Sequence, residues 1–484
     1  MKRIGTTSLM LFCIWSLIFG QVPDWDWVTA LHSPDPEVAT DLAANPITGD
    51  VYLVGEWKGS LAATITDAGT ETTDFTATFG GADGFVVKLN RNGDFQWAFK
   101  VGGEEDDRIS AVHLDNDGNF YITGYISPGM IRFSGTGSLT ADSVYQNTGS
   151  MTFYLAKYDQ EGKLLWVRYS GGNARTEGLG IGSNSSGVFA CGVYKNTISF
   201  GSLPERITNG GEDMFLVKYT SDGQEEWMIS GNSDKEDYGK DIACDDANIY
   251  ITGEFYGDQL RISDVAGDNV FIIPNSSEGE SEIFISCYSN EGVHLWSNSV
   301  ASPEDDNCYG ITMDNASLYL TGSIGAQANF PLYPGNPVTH TDDQDAFLCS
   351  ISRTNGSTLW VRTLTGDSGD DQESRDISMD MDGNLYITGY YQSHIRADPD
   401  TESSRGNEDI FVASYSIDGV YRWLKTAGSS TSDHGSAVSG VYPGSVFVAG
   451  GYSSDLASFD AINLPADGNM NAFVGRLLLP CVNA

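Results

Sequence analysis

After residue 20 the chain is a succession of short apolar runs, each broken by Gly, Asn or Asp, and no 3.6-residue apolar period is sustained. That pattern predicts strands and tight turns. One strand recurs almost verbatim: VYLVG ending at Gly55, FYITG at Gly124, VFACG at Gly192, IYITG at Gly253, LYLTG at Gly322, LYITG at Gly389 and VFVAG at Gly450. The copies stand 61 to 69 residues apart, a period that marks a repeat architecture.

A second strand follows each copy, as in DGFVVKL from Asp83, TFYLAKY from Thr152 and DIFVASY from Asp409. Six of these run into a turn glycine followed four residues later by tryptophan: Gly93 and Trp97, Gly162 and Trp166, Gly223 and Trp227, Gly292 and Trp296, Gly356 and Trp360, and Gly419 and Trp423. One more strand precedes each glycine-ending strand, for example ISAVHLD at 109–115. The unit is therefore a four-stranded meander, with strands A, B (ending in Gly), C and D (with Trp). Units of this kind arranged radially bury both faces of every sheet and leave short edges. The last unit stops at FVGRLLLP without a Trp strand, and an orphan Trp strand, VPDWDWVTAL, stands near the start. The expectation is an all-β, seven-bladed β-propeller of four-stranded antiparallel blades, closed by the N-terminal strand completing the last blade. It would span 21–480 as one domain, with a tail at 481–484.

The Phe-Lys-Tyr strands, the hairpins DGNFYITG and DGNLYITG, and the Trp strand at this period resemble the seven-bladed β-propeller repeat family of secreted bacterial proteins, of Bacteroidetes type. The resemblance covers the chain from about residue 21 to 480 and implies a fold, since that family has no common activity. The Trp series also resembles the tryptophan-docking repeats of quinone-dependent dehydrogenases. Those imply eight blades and often a vicinal cysteine pair, and this sequence has neither. The tryptophans are expected to fill the space between neighbouring blades.

Composition narrows the function. With 66 acidic residues against 26 basic ones the formal charge is −40, which excludes a nucleic-acid surface. Lys2 and Arg3 precede an apolar run from Leu9 to Phe19 and then Gly20, the arrangement of a secretory signal over 1–20. No later apolar stretch is long enough to span a bilayer. The expected protein is secreted, periplasmic or at the cell surface, and monomeric. None of the cysteines forms a CxxC pair, and no GxSxG, HExxH or Walker-type loop occurs.

In such a blade the A–B and C–D turns share one face and the B–C and D–A loops the other. The B–C loops are long and variable, which points to binding on their face. Aromatic residues just after the strand-B glycine, Trp57, Tyr125, Tyr256, Tyr390 and Tyr391, together with His434 in a D–A loop, are the candidate ligand-binding set. Acidic D–A loops place Asp106, Asp107, Asp237, Asp305, Asp306, Asp370, Asp371 and Asp433 at comparable points. Two readings stand: a solvated acidic rim, or oxygen ligands for Ca2+ near the axis. DNDGN and DMDGN are tight turns by composition. The function expected is a non-enzymatic scaffold that recognises an extracellular protein or polysaccharide; the alternative is a carbohydrate-active hydrolase or lyase using these acids, with calcium as a possible cofactor.

Overall fold

The repeat unit folds as expected of its pattern, because alternating residues on each strand face one neighbouring sheet or the other. The computed structural model describes residues 22–480 apart from 33–34, 60–63, 68–69, 74–78, 137–142, 278, 340–343, 454–455 and 466–468. The stretch 1–20 expected to be a secretory signal and the tail at 481–484 lie outside the described residues. Among the described residues no helix is long and apolar enough to cross a membrane.

Blade 1 is Glu37–Ala44, Val51–Lys58, Ala82–Leu89 and Phe95–Gly102. Blade 2 is Arg108–Leu114, Phe120–Ile126, Thr152–Tyr158 and Leu164–Tyr169. Blade 3 is Thr176–Asn184, Gly187–Ser199, Arg206–Tyr219 and Glu225–Asn232. Blade 4 is Asp237–Cys244, Asn248–Phe255, Glu282–Ser289 and His294–Val300. Blade 5 is Asn307–Met313, Ser317–Gly325, Gln344–Ser352 and Thr358–Leu364. Blade 6 is Gln372–Met379, Asn384–Ala397, Asp400–Ser416 and Tyr421–Ala427.

The expectation of a seven-bladed propeller is corrected here: the structure has six blades. Six blades are each completed within one continuous stretch of chain. What the repeat count suggested as another is a composite sheet, in which His434–Ser439, Ser445–Tyr452 and Asn471–Leu478 are joined by Asp24–His32 from the other end of the chain. The count of glycine-ending strands exceeds the count of self-completed blades because the last unit has no strand D of its own. The four-stranded antiparallel blade is borne out, and further strands extend the sheets of blades 1 and 3 and the composite sheet to six, seven and six strands.

The widening comes from the B–C excursions. The hairpin Gly129–Phe133 and Ser143–Asn147, from blade 2, pairs with strand D of blade 1. The hairpin Gln259–Ser263 and Asn269–Pro274, from blade 4, pairs with strand D of blade 3. Thr64–Asp67, from blade 1, pairs with the N-terminal strand. Blade 3 reaches back through Gly171↔Ser199, blade 5 through Ala301↔Asn329, blade 6 through Thr365↔Arg396 and the composite sheet through Gly428↔Ser458. Every excursion thus covers the outer edge of the preceding sheet, an edge that would otherwise leave N–H and C=O groups open to another chain. The loops expected to be free for binding are inter-blade latches.

The strand-B glycines answer to a bulge. Strand A of each unit skips one residue, between Ala39 and Asp41, Ile109 and Ala111, Gly178 and Gly180, Gly239 and Asp241, Cys308 and Gly310, Ser374 and Asp376, and Gly435 and Ala437. The bulge drives a strand-A carbonyl against the glycine. A Cβ on Gly55, Gly124, Gly192, Gly253, Gly322, Gly389 or Gly450 would collide with the carbonyl oxygen of Val38, Arg108, Glu177, Tyr238, Asn307, Glu373 or His434 respectively. The conserved letter of the repeat is a space requirement.

The tryptophans tie each sheet to the next. The indole N–H groups of Trp27, Trp166, Trp227, Trp296 and Trp360 donate to the C–D turn carbonyls of Arg91, Ser221, Asn290, Arg353 and Ile417 at 3.0–3.2 Å. The turn glycine of the receiving blade lies under the ring: a Cβ on Gly419, at φ +72°, would stand 2.8 Å from the Trp360 indole. The core is accordingly a series of wedges between sheets. The wedge between blades 5 and 6 holds Tyr319, Leu348, Ile377, Leu385, Tyr391 and Phe411.

Candidate functional site

The inner strands A surround the central axis. On the face of the A–B turns is a cavity of about 850 Å3 walled by strand-A residues of successive sheets. The residues that resume each strand after its bulge are Asp41, Ala111, Gly180, Asp241, Gly310, Asp376 and Ala437. Small residues here allow close approach; a Cβ on Gly180 would lie 2.8 Å from the Cα of Asp241. The three aspartates tie their blade to the next: Val112 N donates to Asp41 Oδ2 at 2.8 Å, Ile311 N to Asp241 Oδ2 at 2.9 Å and Val438 N to Asp376 Oδ2 at 2.7 Å. Burial, opposed by these backbone donors, pushes Asp41 and Asp241 up to about 7. Asp376 is raised further by burial and by the charges of Asp41 and Asp241. Higher in the cavity His113 Nε2 and Ser183 Oγ are 2.9 Å apart, and burial pushes the imidazole down to about 4, so it is neutral at pH 7.

On the opposite face the axis is closed by a collar of charged and tyrosine side chains. Strand alternation selects them. The residue after each strand-B glycine faces the axis, giving Glu56, Tyr125, Glu254 and Tyr390, and the next residue faces the core. From strand A come Arg108, Glu177, Tyr238, Glu373 and the bulge residues Lys240, Tyr309 and Arg375.

Their contacts form a chain around the opening. Arg108 Nε lies 4.0 Å from Glu56 Oε2. Arg175 bridges Glu177 at 2.5 Å and Glu212 at 2.9 Å, and the Tyr238 hydroxyl donates to Glu212 at 3.4 Å. Lys240 Nζ lies 3.0 Å from Glu254 Oε1 and 4.7 Å from the centre of the Tyr238 ring. The Arg375 guanidinium pairs with Glu373 and lies 4.7 Å over Tyr309 and 5.6 Å from the ring centre of Tyr390. The Tyr390 hydroxyl donates to Glu373 Oε2 at 3.0 Å, and its ring lies 4.6 Å from that of His434, whose Nε2 is 2.8 Å from Glu408 Oε2. Burial works against ionisation of Glu408, but the bond to His434 and its other donors hold it below the usual range.

Glu177, Glu212, Glu254 and Glu373 are buried while Arg375 is exposed. Glu254 Oε2 has no hydrogen-bond partner. Burial and neighbouring carboxylates, Glu56 and Glu177 for Tyr125 and Glu254 for Tyr256, push both phenols up to about 12, so they remain donors. The collar offers donors, acceptors and ring faces together, the set that recognises a polar ligand.

The sequence-based candidates separate accordingly. Tyr125, Tyr390 and His434 belong to the collar, and Tyr256 stands near it, half-buried. Trp57 and Tyr391 do not: both are fully buried, one residue out of phase with the axial face. The D–A loop acids do not converge on the axis. Asp107, Asp237, Asp306 and Asp433 are buried, and each accepts the N–H of the residue four earlier, Gly103, Ser233, Ser302 or Ser429, at 2.5–2.6 Å. Asp106 and Asp305 accept the N–H groups of Ala82 and Ser281 on the preceding blade, and Asp370 accepts the Ser393 hydroxyl. Asp371 lies beside Asp370, its carbonyl accepting from Gln392 N. Among the described residues no three His, Cys, Asp or Glu side chains are grouped as a metal ion requires. The Asp115 carboxylate of DNDGN is engaged by Asp117 N and Asn119 N, as a plain turn.

Sequence reasoning missed the axial aspartates and the collar's Arg108, Arg175, Glu177, Lys240, Glu254, Tyr309, Glu373 and Arg375. A signal existed in the alternation after each glycine. For strand A it was blurred, because A–B turns of unequal length shift the bulge residue relative to the glycine.

No protein-family model matches the chain. It is similar to an uncharacterised WD repeat-containing protein of Acanthamoeba polyphaga mimivirus, at 26% identity over 271 residues covering 48% of this chain and 19% of that protein. It is also similar to the regulatory protein FlaEY of Caulobacter vibrioides, at 22% identity over 288 residues covering 56% of this chain and 29% of that one. The chain therefore spans less than a third of the length of these curated relatives. Among solved structures, the WD40 domain of Neurospora crassa Pan2 superposes with a TM-score of 0.42 at 7% identity, covering 95% of this chain and 98% of that one. The quinohemoprotein alcohol dehydrogenase of Comamonas testosteroni gives 0.38 at 10% identity, covering 94% and 76%. The chain is a β-propeller repeat protein by its own sheet topology.

Proposed function

We propose that the protein is a non-enzymatic binding scaffold, exported through its N-terminal signal, that recognises an extracellular protein or glycan at the axial collar. One observation carries this reading: Tyr309, Arg375, Tyr390 and His434 are arrayed ring over ring beside the buried Glu373 at the mouth of the axis. Such a surface pairs stacking area with charge-assisted hydrogen bonds, and its ion pairs hold the side chains in place before any ligand arrives. The B–C excursions serve as latches, which leaves the collar as the prepared surface of that face.

A glycan array and a panel of immobilised extracellular proteins, probed with the mature chain, test the proposal. The tenfold or greater loss of binding expected in Arg375→Ala and in Tyr390→Ala is read at a temperature where circular dichroism shows each variant folded, since both substitutions remove a partner of the buried Glu373. Binding insensitive to both substitutions, or conversion of a bound glycan into products, would overturn it. Mass spectrometry of the exported protein should find a new N-terminus after residue 20.

A further inference from the structure

At each junction between sheets, the residue that opens strand C meets the residue that opens strand A of the next sheet. The backbone fixes this neighbourhood: Asp107 N donates to Ala82 O, Asp306 N to Ser281 O, Asp433 N to Glu408 O, Glu37 N to Met470 O and Thr176 N to Met151 O, each acceptor immediately preceding the strand-C residue. The pairs around the ring are Asp83 with Asp107, Thr152 with Thr176, Asp213 with Asp237, Glu282 with Asp306, Asp345 with Gln372, Asp409 with Asp433, and Asn471 with Glu37. All fourteen side chains are buried, most of them completely.

Four junctions hold two acids each. In those four the strand-C acid has one oxygen engaged by a backbone N–H of the preceding excursion: Phe79 N to Asp83, Asn209 N to Asp213, Ser276 N to Glu282 and Arg405 N to Asp409. Its other oxygen, Asp83 Oδ1, Asp213 Oδ1, Glu282 Oε2 or Asp409 Oδ1, is buried with no hydrogen-bond partner. The opposing acids differ among themselves: Asp237 accepts one backbone N–H, from Ser233, and its Oδ1, like Asp213 Oδ1, is buried with no hydrogen-bond partner. Asp107, Asp306 and Asp433 each accept two backbone N–H groups, one per oxygen. A Cβ on Gly102 would strike Asp83 Oδ1 and stand 3.1 Å from Asp107 Oδ2, so these oxygens flank one point. Two buried carboxylates this close cannot both be charged without a cation or a proton between them.

The chain's own repeats decide between the two. At two equivalent junctions one member of the pair is replaced, by Gln372 or by Asn471, and at a third both are threonine. An amide beside a carboxylate has the hydrogen-bonding pattern of a carboxylic acid beside a carboxylate. Neither it nor a threonine pair replaces the charges a bound cation would need.

We infer that at these four junctions the two acids share one proton, so that the ring is fastened by pH-sensitive clasps. Other charges face the clasps. Lys100, Arg132 and Asp106 lie near Asp83 and Asp107; Asp234 and Tyr194 near Asp213 and Asp237; Asp305 near Glu282 and Asp306; Arg405, Tyr391 and His434 near Asp409 and Asp433. Asp213 and Asp237 have no cation among the groups acting on them, and theirs is the clearest case. Burial raises carboxyls on both sides of the junctions: Asp409 to about 6, Asp83 and Asp107 to about 7, Asp213 and Asp306 to about 8, and Asp237 and Asp433 in the same direction. A folded-state value above the unfolded one means stability that is full below the unfolded value and lost as pH rises through the folded one. The window is therefore between about pH 4 and pH 8.

Thermal melts from pH 5 to 9 and infrared spectra of the natural protein test this. The expected results are a melting temperature that falls toward pH 9 and a protonated-carboxyl band that persists at pH 6 and fades by pH 9. Asp213→Asn should retain its melting temperature across that range better than the natural chain. Gln372→Glu, which turns the fifth junction into an acid pair, should steepen the fall. An absent carboxyl band at pH 6, an unchanged slope in Gln372→Glu, or full recovery at pH 9 on adding Ca2+ would overturn the proposal, the last in favour of a bound cation.

Discussion

Replacing Gly389 by alanine tests the relation between repeat and bulge. The new Cβ would collide with Glu373 O and lie 2.8 Å from its carbonyl carbon and 2.9 Å from Ser374 Cα, all backbone atoms. Ordinary carbon contacts need about 3.5 Å or more, so strand A must retreat at its bulge or the A–B pairing of blade 6 must open. Overpacking of this kind costs about 1–3 kcal/mol, and loss of neighbouring ladder bonds places Gly389→Ala near the upper end, at roughly 3 kcal/mol. The gain from a stiffer unfolded chain, about 0.5 kcal/mol, offsets little of it. Gly383 in the adjoining A–B turn is the control. It has φ +76° and its nearest neighbour would be 3.4 Å away, so Gly383→Ala meets strain without collision and should cost about 1–2 kcal/mol. Urea unfolding followed by tryptophan fluorescence measures both. Equal destabilisation by the two substitutions, or a smaller effect at Gly389, would refute the steric account of the repeat glycine.

Trp360→Phe removes the donor to Ile417 O while keeping an aromatic ring, and should cost about 1–2 kcal/mol in the same unfolding assay. Replacing 129–147 by a short turn strips the latch from strand D of blade 1 and removes the buried Ile131 and Phe133; light scattering should report aggregation that the natural chain does not show. The His113 ring should titrate near pH 4 by NMR. Because its folded value is depressed, the stability it contributes is present above about pH 6.5 and lost as pH falls toward 4, the reverse of the acid pairs. Ser183→Ala, which removes its hydroxyl partner, should shift that midpoint.

The repeat glycines, the turn glycines and the tryptophans were legible because each answers to a constraint within one unit or between a unit and its copy. The same copying made the number of equivalent blades misleading, since it counts strands B and says nothing of which chain end supplies strand D. Trp57 and Tyr391 look like Tyr125 and Tyr390 in the sequence, yet one step along a strand exchanges the axis for the core. The acidic D–A loops were visible as charge, but their oxygens are taken up by local N–H groups and by facing acids on the next sheet.

By itself, then, the sequence determined the four-strand unit, its period and the positions where a Cβ cannot fit, because local sterics and alternation are written residue by residue. Only the tertiary structure decided what stands across from what. Glu373 meets Arg375 and Tyr390, Asp213 meets Asp237, and the long excursions fold onto a neighbour's edge, because ring closure brings together positions whose spacing in the chain varies with every loop.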